Sequence, residues 1–233
     1  MVMPPEKTPP VEMTPEQIAE MSAPLWESLR QAIRSGDVVT AVAALDDAAE
    51  RVASLQEYSV NWITSLLSYI GQTFGEDHVE AALRRTGDEF IRPRRGDGAR
   101  WDALPADVRA RAITRAMIAN GATVEVSEDQ EKIVLEFRCG SGGRLIDEER
   151  YGPNGYFELT EPGPRTFGRE QLGVYCAHCS INNEIQPVEW GHAPTTVENP
   201  PMAPGDTCTH HIFRDPSNLP TEVHLRLGIQ MTE

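Results

Sequence analysis

Cysteine is scarce in this chain of 233 residues: there are four, and none precedes Cys139. Long apolar runs are missing as well. No stretch approaches the roughly 18 uninterrupted apolar residues of a membrane-spanning helix. The first ten residues, Met-Val-Met-Pro-Pro-Glu-Lys-Thr-Pro-Pro, lack the apolar segment of a secretory signal. A cytoplasmic location is the expectation that follows. Reducing conditions there favour thiols over disulfides, and a Cys-x-x-Cys pair then points to metal binding or catalysis. Basic charge is also short. The net charge is −15, with acidic excess in both halves, and a nucleic-acid scaffold would normally show a basic face. Neither an internal repeat nor a phosphate-binding motif is present.

What is there suffices for a globular protein. The hydrophobic fraction of 39% is too high for full disorder. Residues 1–13 carry four prolines and no apolar periodicity, which predicts a disordered leader. Residues 14–121 read as helical. Thr14, Pro15 and Gln17 form a capping-box start. Pro24 interrupts that helix, and Leu25, Trp26, Leu29 and Ile33 recur at helical spacing up to Gly36. After Asp37, a natural cap, Val38, Val42, Leu45, Ala49, Val52 and Leu55 make a stripe that Trp62, Ile63, Leu66, Leu67 and Ile70 continue. Such stripes are expected to be the seams of a helical bundle. A shorter helix follows Gly75. The segment 87–104, with Arg92, Arg94, Arg95 and Arg100, reads as a solvated linker. A further helix is expected over 105–120, with Val108, Ala112, Ile113, Ala116 and Met117 inward.

Residues 122–233 change character. Residues 123–126 alternate with period two and 132–138 are rich in branched apolar residues, predicting a β-hairpin that runs into Cys139. Loops with short strands are expected through the following glycines and prolines, then a short helix over 177–188. Strands are expected at 195–198, 208–214 and 222–229. Helices first and strands second define an α+β protein, an N-terminal helical bundle on an antiparallel β-rich half. The two regions make one domain or two.

The cysteines are spaced Cys139-x36-Cys176-x2-Cys179-x28-Cys208. A Cys-x-x-Cys pair flanked by two more cysteines can enclose one tetrahedral ion, and zinc suits a thiolate-rich site best. Cys139, Cys176, Cys179 and Cys208 are therefore the expected zinc ligands. Gly140, Gly142 and Gly143 let the backbone curl closely behind Cys139. Four unrelated buried thiols are the plain alternative.

A catalytic zinc needs an exchangeable position, commonly three protein ligands and water. His178, Glu184, His192, Asp206, His210 and His211 lie close to the cysteines in sequence. Glu184 is the candidate general base, provided its helix points it inward. His210 shares a strand face with Cys208, two residues away, and is the candidate proton donor; His211 points to the other face. The ring of His178, lying between two ligands, is expected to project away from the metal.

The segment Pro204-Gly-Asp-Thr-Cys208-Thr-His-His-Ile-Phe213, with helices ahead of a β-rich half, resembles the closing strand of vinyl-reductase-type domains and the related thiazoline-carboxylate hydrolases. Cys208 is the position that matches. The resemblance implies a small-molecule pocket between helices and sheet, near the metal. Two functions follow. One is a zinc-dependent hydrolase or lyase acting on a small molecule. The other is a small-molecule sensing or interaction domain whose four-cysteine zinc is structural. The partners expected are a small molecule and a second copy of the chain, with neither nucleic acid nor membrane.

Overall fold

A computed structural model describes residues 13–24, 26–95 and 99–229. All of the expected leader except Met13 lies outside these residues, as do Leu25 and the Gly96–Gly98 tip of the arginine-rich segment. The protein is α+β. It divides into two compact units between Leu55 and Gln56, inside one long helix.

The first unit contains α1 (Pro15–Ser22), α2 (Glu27–Ser35) and the start of α3 (Val38–Phe74). Its caps form as read from sequence. Thr14 N–H donates to Gln17 Oε1 at 2.8 Å, Gln17 N–H donates to Thr14 Oγ1 at 3.3 Å, and Thr40 N–H donates to Asp37 Oδ1 at 3.1 Å. Gly36 closes α2 in the left-handed region at φ 74°. The expected seam does not become a core. Val38, Val42, Leu45, Val52 and Leu55 are all exposed, and the buried apolar residues here are Ala32 and Ala48.

In the second unit α3 buries only part of the expected face: Leu67 and Ile70 meet the core as read from sequence. Val60, Thr64, Leu67, Ser68 and Gly71 are buried, whereas Trp62, Ile63 and Leu66 are exposed. Close approach explains the choice. Ser68 Oγ accepts from Phe157 N–H at 3.0 Å, and a Cβ on Gly71 would stand 2.3 Å from the Phe157 ring. Small residues admit the neighbouring chain where larger ones would not.

Helix α4 (Glu76–Thr86) passes directly into a π-helical turn, Gly87–Ile91, then α5 (Arg92–Arg95) and α6 (Ala99–Asp102), so the expected linker is largely helical. Arg92 stacks over Trp190 and Arg94 over Phe90, which supports the turns where a solvated loop would have none. Helix α7 (Ala106–Ala119) turns Ala106, Arg109, Ala110 and Ile113 inward; Val108, Ala112 and Ala116 are exposed. Arg109 selects this face by donating to Phe213 O at 2.6 Å.

The hairpin forms from β1 (Thr123–Glu128) and β2 (Lys132–Arg138). After it come α8 (Gly142–Asp147), β3 (Glu158–Leu159), β4 (Leu172–Gly173), a 3₁₀ turn (Val174–Cys176), α9 (Ala177–Cys179), a π-helical turn (Ser180–Ile185) and α10 (Gln186–Glu189). Strands β5 (Val197–Asn199) and β6 (Cys208–Phe213) complete an antiparallel sheet of order β1-β2-β6-β5. The strand expected at 222–229 is instead α11 (Thr221–Leu227). Pro220 opens it and Gly228, at φ 67°, closes it, the proline-first, glycine-last signature of a helix. Among the described residues no helix is long and apolar enough to cross a membrane.

Two apolar clusters form this unit's core. One joins Leu67, Val79 and Leu83 to Leu172, Val174, Cys176 and Ile181. The other joins α7 to the sheet through Ile113, Leu135, Phe137, Ile212 and Cys208. Each cluster therefore includes a cysteine, on separate segments of chain.

Candidate metal centre

Three chain segments bring the cysteines to one place. Cys139 leaves the end of β2, Cys176 and Cys179 lie in the turn and short helix ahead of the π-helical segment, and Cys208 begins β6 opposite Phe137. All four line a single cavity of about 80 Å³. Glycine makes the approach possible. A Cβ on Gly142 would stand 2.7 Å from Cys176 Sγ, one on Gly143 would stand 2.8 Å from the Cys139 Cβ, and one on Gly140 would stand 2.0 Å from Asn120 O. All four cysteines are free thiols.

Burial governs their chemistry. It pushes the thiols of Cys176, Cys179 and Cys208 up, since a thiolate loses its hydration there. For Cys179 and Cys208 the Glu198 carboxylate adds to the shift; for Cys176 the neighbouring Cys139 does. Arg169 works weakly against it at Cys176 and Cys208, but burial also lowers the pKa of this guanidinium. A cavity of neutral thiols becomes a set of thiolates when a divalent cation supplies the missing charge. The donor set suits zinc by its chemistry. Among the described residues, however, no three His, Cys, Asp or Glu side chains are gathered closely enough to hold a metal ion as they stand.

His210 lines the same cavity, on the face of β6 that carries Cys208, while His211 is on the opposite face, as the strand period predicts. Its ring is nearly fully buried, packs edge-on against Phe137 at 4.8 Å, and has its pKa lowered by burial. His178 also lines the cavity. Nδ1 lies 2.6 Å from Tyr175 O and Nε2 lies 3.5 Å from Cys179 Sγ. Donation from Nδ1–H to that carbonyl leaves Nε2 as the accepting nitrogen towards the thiol.

Glu184 does not line the cavity. Its side chain is fully buried, Oε1 accepts from Glu198 N–H at 2.7 Å, and Oε2 pairs with Arg226. Burial raises its carboxyl to about 7, against the lowering pull of Arg226. Helical spacing explains the placement: Asn183, four residues beyond Cys179, shares its side of the helix and stands on the cavity wall, whereas Glu184, one residue further on, is turned away. His192 pairs with Asp102 at 3.1 Å, and Asp206 accepts from Met202 N–H and Ala203 N–H in its own turn. Neither belongs to the cavity wall.

The sequence did not single out Glu198, Tyr175 or Ser141. Ser141 Oγ stands 3.2 Å from Cys139 Sγ, and burial pushes the cavity-lining Tyr175 up to about 12. Glu198 is the cross-strand neighbour of His210 in the β5–β6 pair. A glutamate on a short strand carries no ligand spacing, so only the strand register brings it to notice.

No family model matches the chain, and no curated protein or solved structure matches it either.

Proposed function

We propose that the chain binds one zinc ion through Cys139, Cys176, Cys179 and Cys208 and works as a zinc-dependent hydrolase or lyase on a small molecule. The convergence of all four cysteines on one cavity carries this reading. Polar groups in the same wall, His210, Tyr175 and Asn183, provide what a reaction beside the metal requires. The metal would supply Lewis acidity. With four cysteine ligands, His210 would hold or move the proton, and the β-rich half would be a zinc-binding half. Glu184, the other sequence candidate, would act from behind the wall by holding β5 through its bond to the Glu198 N–H.

The cavity's size restricts the substrate. Pockets that enclose a drug-sized ligand run to about 300–1,000 Å³, whereas about 80 Å³ accommodates an ion with one small group beside it. The substrate therefore presents a single small functional group to the cysteines, in keeping with the pocket implied by the vinyl-reductase and thiazoline-hydrolase resemblance. The same small volume favours the second reading, a sensing or interaction domain with a structural zinc, since fully thiolate-coordinated zinc is usually closed. A second copy of this chain is the macromolecular partner in either case, supported by the exposed apolar row of α3.

Turnover distinguishes the two readings. Zinc-loaded protein screened against small cyclic amides, amidines and thioesters should hydrolyse at least one of them, and His210→Gln should reduce that rate by about 10². Full zinc occupancy with no turnover across the screen would favour the structural reading.

A further inference from the structure

Two buried polar atoms beside the cysteine cavity have no hydrogen-bond partner: His210 Nδ1 and Glu198 Oε2. Both residues are more than nine-tenths buried, with 2% and 5% of their surface exposed. A buried polar atom without a partner costs free energy, and native structures keep few of them. The atoms around the pair are otherwise well arranged. Glu198 Oε1 accepts from Thr196 Oγ1–H at 2.7 Å and Asn183 Nδ2–H at 2.8 Å, and His210 Nε2 stands 3.4 Å from the same oxygen. The register holds this contact, since His210 and Glu198 are directly opposed across β5 and β6.

The arrangement selects one tautomer. A carboxylate oxygen can only accept, so the ring proton belongs on Nε2. Nδ1 then bears the lone pair, in a ring that lines the cavity of the four thiols. Metal-ligating histidines commonly donate their other ring N–H to a carboxylate in this way.

We propose that His210 Nδ1 is a zinc ligand in place of one of the four thiolates, and that Glu198 is the positioning residue that holds its ring and tautomer. This rests on the reading that the cavity binds zinc. Charge supports the substitution. Four thiolates around zinc leave a dianion, and Glu198, directly opposite His210 across β5 and β6, sets a further carboxylate next to the site. Exchanging one thiolate for a neutral imidazole halves that charge at a buried site, where unpaired charge is most costly.

X-ray absorption of the zinc-loaded wild-type protein tests the ligand count without any variant. Three sulfurs and one nitrogen are expected in the first shell. Four sulfurs with no nitrogen would overturn this inference while leaving the zinc reading intact. Protein that takes up no zinc from a stoichiometric zinc salt would overturn both. The Glu198→Gln variant tests the positioning role. It should weaken zinc binding by roughly ten- to a hundredfold and shift the cobalt(II) ligand-field spectrum towards all-sulfur coordination. Metal-free melting should stay unchanged, and Glu198→Asp should partly restore the spectrum. An unchanged cobalt spectrum in Glu198→Gln would overturn the role assigned to Glu198.

Discussion

Glu184 shows how an environment redirects a residue chosen from sequence. Five residues beyond Cys179 it was a candidate base, yet its carboxyl is committed to Arg226 and the β5 backbone. Its pKa of about 7 in the fold, above the ordinary 4.5, has a consequence with a definite sign. Between about pH 4.5 and 7 the folded state holds this proton more tightly than the unfolded chain, so its contribution to stability declines as pH rises through that window. The full shift corresponds to about 3 kcal/mol. Glu184→Gln, which cannot titrate, should flatten that part of the stability profile in denaturant titrations at successive pH values, with zinc content unchanged. A profile with the wild-type slope would assign the proton elsewhere. Gly142 makes the converse point, since its lack of a side chain is what matters. Its added Cβ would lie 2.7 Å from Cys176 Sγ, so Gly142→Ala should cost about 1–3 kcal/mol by thermal or chemical unfolding and lower zinc occupancy.

At the scale of elements, α3 is the most instructive. Val38, Val42, Leu45, Ala49 and Val52 alternate in steps of four and three residues, the spacing of a coiled-coil seam, and they lie exposed along the helix. A second copy carries the same spacing, which is why the proposed partner is another copy of this chain. Sedimentation equilibrium should find a dimer that Leu45→Glu shifts to monomer, with the cysteine site still loaded. A wild-type monomer at micromolar concentration would dismiss this partner. The hairpin, the α4 start after Gly75 and the Asp37 cap were legible because each rests on a local signal. The 222–229 segment reads as a strand from its apolar content, yet Pro220 and Gly228 mark the start and stop of a helix in the same sequence. The π-helical turn at Ser180–Ile185 has no comparable sequence mark, whereas the i, i+4 spacing from Cys179 already places Asn183 rather than Glu184 on the cavity side.

For the whole molecule the central expectation is metal content. Reduced, purified protein should carry about one equivalent of zinc by elemental analysis, and chelation should lower its melting temperature, because the ion would tie together three segments distant in sequence. Metal-free protein with undiminished stability would remove the site. Deleting residues 1–12, the part of the expected leader outside the described structure, should change neither quantity, since the segment has no apolar periodicity. A marked drop in melting temperature on that deletion would assign it a packed role.

Sequence by itself determined the α+β class, the hairpin entering Cys139, most helix boundaries of the first half and the four cysteines as a set worth testing. Each of these is carried by local chemistry: caps, glycine stops, a period of two or 3.6, a Cys-x-x-Cys spacing. Tertiary structure decided which face of α3 and α7 is buried. Hydrogen bonds from Phe157 N–H to Ser68 Oγ and from Arg109 to Phe213 O, together with close approach at Gly71, outweigh apolar periodicity there. It also decided that His178 and His210 line the cysteine cavity whereas Glu184 does not, and that Glu198 stands opposite His210. The cross-strand placements depend on strand register, and Glu184 is held by Arg226 and the Glu198 N–H, contacts between residues far apart in the chain.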